Sequence, residues 1–171
     1  MNRFLIILFA FFSFQTLSAQ STAEVSKDSE GNKVLKGFIS RKDLETDAAF
    51  AWFADNAKSY KPEASALQAL KTYKDSVNII AFGGTWCGDT KSILPKFFAL
   101  TDAAGFSQDR ITLLGVDRNK KTIQHLSEAF GIMNVPTIIV MKNGKEIGRV
   151  VEYGKYGQFD KELGEIIQSK K

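Results

Sequence analysis

The chain has 171 residues, 44% of them hydrophobic and 25% charged, with a formal net charge of +4. That length suits one domain. Its lysines are interleaved with acids along the chain, so the charge describes a solvated basic surface and excludes the one-sign stripe of a nucleic-acid site. One cysteine, Cys87, excludes any internal disulfide, and together with the one histidine, His125, it falls short of a tetrahedral zinc ligand set. No metal and no cofactor is expected.

Met1-Asn2-Arg3 is a short positive head, residues 4–12 are an uninterrupted apolar run, and residues 13–20 return to small and polar side chains. That order is the three-part pattern of a secretory signal peptide. The run is shorter than the roughly 20 apolar residues of a membrane span. Cleavage after Ala19 would export the rest of the chain to the periplasm or beyond, with no membrane insertion of the mature part; an uncleaved anchor is the alternative. Residues 20–33 are polar, hold no aromatic and contain Glu30-Gly31-Asn32, which predicts a flexible lead-in.

A domain is predicted over 34–171, with an N-terminal helical extension at 34–76 and a core at 77–169. Val34 to Ile39 reads as a short strand. Ser40 is placed to cap a helix from Arg41, with Asp43 in its first turn. Leu44, Ala48, Ala51 and Trp52 form one stripe of that helix, and Phe50, Phe53, Ala57 and Tyr60 a neighbouring one. Pro62 ends it, and Glu63 to Lys74 reads as a second helix with Ala66, Leu67, Leu70 and Tyr73 inward.

The pattern then changes period. Val77 to Phe82 is an apolar run rich in β-branched residues, as a central strand requires. Gly83 to Gly88 is a turn, and a helix starts near Asp89 with Ile93, Phe97 and Leu100 on one face and Pro95 as a kink. Ile111 to Val116 is a strand and Thr122 to Phe130 a helix, with His125 on its surface. Thr137 to Met141 and Lys145 to Val151 are paired across Asn143-Gly144, a strong hairpin signal. Phe159, Leu163, Ile166 and Ile167 mark a last helix. This order predicts an α/β fold, one mixed central sheet with helices on both faces.

Cys87 ends a strand, sits in a turn and opens a helix. A helix start offers unpaired N–H groups and a partial positive charge, and both favour the thiolate, which is the nucleophile. Lys91 would help if its side chain folded back toward the sulfur, and Asp89 would oppose. In an exported protein an unpaired thiol points to a reactive site or an intermolecular partner, a covalent dimer included. An inert buried cysteine is the other reading.

Trp86-Cys87-Gly88-Asp89-Thr90-Lys91 resembles the active-site segment of thioredoxins, Trp-Cys-Gly-Pro-Cys-Lys. Pro95 falls where that family kinks its active-site helix. Val135-Pro136-Thr137 is similar to the family's cis-proline segment, and Lys142-Asn143-Gly144 to the hairpin after it. From about Val77 to Ser169 the chain is similar to the thioredoxin family, and the resemblance implies a thioredoxin-like fold with Cys87 as the catalytic thiol. Trp86, Val135 and Pro136 would then border a substrate groove, with a cis bond before Pro136 and the Val135 backbone facing an extended peptide. Thr90 stands in place of the resolving cysteine, and its hydroxyl could donate to the Cys87 sulfur. Ala81 stands in place of the family's buried aspartate. These departures predict a monothiol protein that exchanges disulfides with cell-envelope proteins and depends on an external thiol. The alternative is a non-catalytic thioredoxin-fold module that binds peptides or proteins, with 34–76 as an added partner surface.

Overall fold

The structure is a computed structural model that describes residues 23–169. The expected signal peptide, residues 1–19, lies outside the described residues. Among those described, no helix is long and apolar enough to cross a membrane.

The first element corrects the flexible lead-in. Strand β1 (Glu24–Lys27) pairs antiparallel with β2 (Lys33–Ile39). The turn between them is built on Asp28, whose Oδ1 accepts the N–H groups of Glu30 at 2.9 Å and Asn32 at 2.8 Å. Gly31 supplies the left-handed backbone there, at φ +82°. All four β1 residues are exposed, so no alternation of apolar and polar side chains announces the strand.

Ser40 caps α1 (Arg41–Thr46) in a reciprocal capping box with Asp43. The single helix expected from Arg41 to Tyr60 is instead three pieces: α1, a 3-10 turn at Ala48–Phe50, and α2 (Trp52–Ala57). Asp47 breaks it. Its backbone is extended and its side chain accepts the Ala49 N–H, so it restarts the helix, and it also pairs with Lys33. The breaks cut across both apolar stripes: Leu44 lies in α1, Ala48 and Phe50 in the 3-10 turn, and Trp52, Phe53 and Ala57 in α2. Next, α3 (Ala64–Tyr73) is capped by Glu63, which accepts from Ala66 N–H at 2.8 Å.

The remaining strands are β3 (Asn78–Gly83), β4 (Ile111–Gly115), β5 (Thr137–Lys142) and β6 (Lys145–Val151). The six-stranded sheet runs β1-β2-β4-β3-β5-β6. Among the described residues only β3 and β4 are parallel, joined through α4 (Gly88–Ala104). Asn143 and Gly144 turn the β5–β6 hairpin at φ +51° and +75°, as a type I′ turn requires.

Alternation along the strands feeds two cores. Ile79, Ala81, Leu113, Ile138 and Val140 join the large one beneath the helices, with Leu70, Phe97 and Leu163. Phe82, Leu114 and Ile139 join a smaller one, with Val116 and Val135. Each of the Val, Leu, Ile and Phe side chains among them contributes about 1.5–3 kcal/mol when fully buried. The last helix, α6 (Phe159–Gln168), lies so close to α3 that a Cβ on Gly164 would stand 2.7 Å from Ala66 Cα. Tyr60 binds the extension to it: its hydroxyl donates to buried Asp160 at 2.7 Å. Burial, and then the Asp160 carboxylate, push the Tyr60 phenol far above its ordinary value.

A second correction concerns the helix expected over Thr122–Phe130. The segment is a 3-10 turn at Ile123–His125 and one α-turn, α5 (Leu126–Ala129). Gln124 and His125 both take positive φ, +51° and +54°. The Thr122 hydroxyl is buried and donates to the Gly115 carbonyl at 2.7 Å, pinning the segment to the end of β4. A tertiary bond overrides local propensity here. His125 is a surface residue, 92% exposed at its side chain, with Glu128 at 3.7 Å.

Candidate functional site

Strand β3 ends at Gly83, and the chain turns through 84–87, where Cys87 N–H donates to the Gly84 carbonyl at 2.8 Å. Cys87 is the N-cap of α4, with extended backbone at φ −82° and ψ 129°. The helix therefore starts at Gly88, one residue before the expected Asp89. The Val135–Pro136 bond is cis. Cys87 is half-buried, and its thiol donates to the Val135 carbonyl at 3.2 Å. The sequence-predicted Cys87, Val135 and Pro136 are thus brought together from two loops 48 residues apart.

The sulfur accepts no hydrogen bond from the helix start. A thiolate has no proton to give the Val135 carbonyl, so the nucleophilic form must turn away from it, toward the free N–H groups of α4 or toward a substrate.

Thr90 is placed differently from expectation. It is 1% exposed, and its hydroxyl oxygen accepts the Gly84 N–H at 3.2 Å. No bond from that hydroxyl to the Cys87 sulfur is present among the described residues. The reason is local: Gly84 N–H lies past the end of the β3 ladder, and a buried backbone donor must find an acceptor. Thr90 shapes the turn that carries the thiol.

Lys91 also departs from expectation. Among the described residues its ammonium makes no hydrogen bond or ion pair, so it does not fold back on the sulfur. Its backbone is what matters. Lys91 N–H donates to the Cys87 carbonyl at 3.0 Å, and its carbonyl accepts from the Asn56 side chain of α2 at 2.9 Å. Pro95 lies four residues on and has no N–H to return to that carbonyl. Asn56 fills the gap that the helix leaves.

Trp86 donates its indole N–H to the Val116 carbonyl at 3.1 Å, and the Arg118 guanidinium lies over its ring at 5.1 Å. Met133, two residues before Val135 in the chain, is 77% exposed. Asn56 and Arg118 escaped the sequence reading, because their roles depend on which elements meet. Among the described residues no cluster of three or more His, Cys, Asp or Glu is arranged to hold a metal.

The Thioredoxin family model matches residues 61–165, so it takes in α3 as well as the segment from β3 onward. A thioredoxin from Alicyclobacillus acidocaldarius is 29% identical over 108 residues, 62% of this chain and 94% of its own. One from Echinococcus granulosus is 33% identical over 95 residues, 56% of this chain and 78% of its own. Among solved structures, a Pseudomonas aeruginosa protein of unknown function superposes with a TM-score of 0.52 at 14% identity. It covers 77% of this chain and 90% of its own, a likeness of fold alone. With its cis-proline loop facing the thiol at the start of α4, and with a family match over more than half its length, the chain belongs to the thioredoxin family.

Proposed function

We propose that this thioredoxin-like redox protein is exported and works as a monothiol, exchanging disulfides with proteins of the cell envelope. The Cys87 thiolate attacks one sulfur of a client disulfide. A bond forms between Cys87 and that sulfur, the client S–S bond breaks, and the other client sulfur leaves as a thiolate. Release needs an external thiol, which attacks the mixed disulfide, leaves with the client and returns Cys87 as a thiolate. Thr90 has no sulfur to perform that step. The observation that carries the reading is the half-buried Cys87 sulfur at the start of α4, 3.2 Å from the cis-proline loop.

The test is mass spectrometry after exposure to 2-hydroxyethyl disulfide. The expected product is one mixed disulfide on Cys87 that persists until dithiothreitol is added. Absence of the adduct, or its spontaneous loss, refutes the monothiol reading. Export is tested on protein recovered from the envelope fraction of its own cells. An N-terminus near residue 20 supports it, and an intact Met1 in the cytosol refutes it.

A second reading, a binding module without turnover, is favoured by the hydrogen bond that holds the Cys87 thiol to the Val135 carbonyl. A module keeps its partners after Cys87→Ser, whereas a redox protein loses its covalent clients.

A further inference from the structure

The turn before Cys87 is tied to the N-terminal hairpin by a continuous set of contacts. Thr85 donates its hydroxyl to the Lys33 carbonyl at 2.9 Å and accepts the Leu35 N–H at 3.3 Å. The Trp86 ring lies against Gly84 so closely that a Cβ there would stand 2.7 Å from its Cε2 atom. Arg118 covers the ring with its guanidinium and is itself held by Asp28 of the β1–β2 turn. Asp28 Oδ2 accepts from Arg118 Nε at 2.9 Å and Nη2 at 2.6 Å, and Glu30 stands 2.8 Å from Nη2. The Asp28 side chain is 2% exposed although it sits in a surface turn. Charge-assisted bonds from one guanidinium to one carboxylate fix a plane as well as a distance. Trp86 and Cys87 then pack on the same small core of Phe82, Leu114, Val116 and Val135.

We propose that Asp28 and Arg118 are positioning residues for the thiol: the pair clamps the Trp86 ring beside Cys87 and thereby limits how far the sulfur is exposed. Neither residue touches the reacting atoms. Residues 24–39, which lie outside the part matched by the family model, are on this account a working part of the site. The proposal rests on Cys87 being the working thiol, but its readouts do not require disulfide exchange.

The test uses full-length protein carrying Trp52→Phe, so that Trp86 is the one tryptophan left of two. Two readouts are taken: acrylamide quenching of Trp86 fluorescence, and the alkylation rate of Cys87 by iodoacetamide. Losing a stacked cation should raise quenching about twofold and alkylation about threefold in Arg118→Ala and Asp28→Asn, with Arg118→Lys in between. If Arg118→Ala does not fold, Asp28→Asn and Arg118→Lys carry the same comparison. Unchanged quenching and alkylation overturn the proposal, even where the melting temperature falls, because a purely structural hairpin moves only the melt. Raised quenching with unchanged alkylation overturns it too. Should the parent protein form no mixed disulfide, the redox reading fails while these two readouts still decide the clamp.

Discussion

Removing the Asn56 carboxamide should destabilise the protein only while Pro95 is present. The proline nitrogen carries no proton, so α4 cannot return its usual bond to the Lys91 carbonyl. The Asn56 amide, on α2, donates to that carbonyl at 2.9 Å. A net hydrogen bond is worth about 1 kcal/mol, and this one is near solvent, so about 0.5–1 kcal/mol is the expected share. Asn56→Ala also raises helix propensity by up to about 0.7 kcal/mol, which would mask most of the loss in the single variant. The double-mutant cycle with Pro95→Ala removes that ambiguity, because propensity cancels between backgrounds. In Pro95→Ala the new N–H supplies the bond and Asn56 becomes redundant. Urea unfolding of the four proteins should give a coupling of about 0.5–1 kcal/mol. Equal effects of Asn56→Ala in both backgrounds would show that the amide does not complete α4.

Gly164→Ala should lower the melting temperature although alanine favours helix. Its Cβ would meet Ala66 Cα at 2.7 Å and Ala66 N at 3.1 Å, main-chain atoms that cannot rotate away. Overpacking of about 1–3 kcal/mol then outweighs about 1 kcal/mol of propensity, and an unchanged or higher melting temperature refutes the close α3–α6 contact. Tyr60→Phe removes a hydroxyl donor from a buried carboxylate and should cost about 1.5 kcal/mol in urea unfolding; no loss would mean that the Asp160 bond is idle. Burial pushes the Asp28 carboxyl up, but Arg118 and the N–H donors of the turn outweigh it, leaving it at about 2 against an ordinary 3.8. A folded value below the unfolded one means stability that is present above 3.8 and lost as pH falls through about 2. The melting-temperature gap between the parent and Asp28→Asn should therefore close across that window, and a constant gap refutes the assignment.

Much of the site was legible because its signals are local or carried by a family resemblance. The change of period at Val77 places β3, and the Cys87 turn and the start of α4 follow directly from the glycines and polar residues after it. The resemblance adds the cis peptide before Pro136, seen in the structure, which local chemistry alone could not supply. Thr90 and Lys91 show the limit. Their position beside the thiol was legible, but the direction of their polar atoms was not. Gly84 N–H competes for the Thr90 hydroxyl, and Pro95 creates the vacancy that turns the Lys91 carbonyl toward Asn56.

By itself, the sequence determines where the strands β2 to β6 and the helices α3, α4 and α6 fall, that Cys87 opens a helix, and that the 171 residues hold no second cysteine. Those properties follow from periodicity, capping and composition, which act within a few residues. Only the tertiary structure decides that the hairpin of residues 24–39 meets the turn before Cys87, that Asp28 reaches Arg118 across 90 residues of chain, and that the Cys87 thiol points at the Val135 carbonyl. Such contacts depend on how a twisted sheet brings distant loops to one edge, and a carboxylate in a polar turn carries no mark of the guanidinium it will meet.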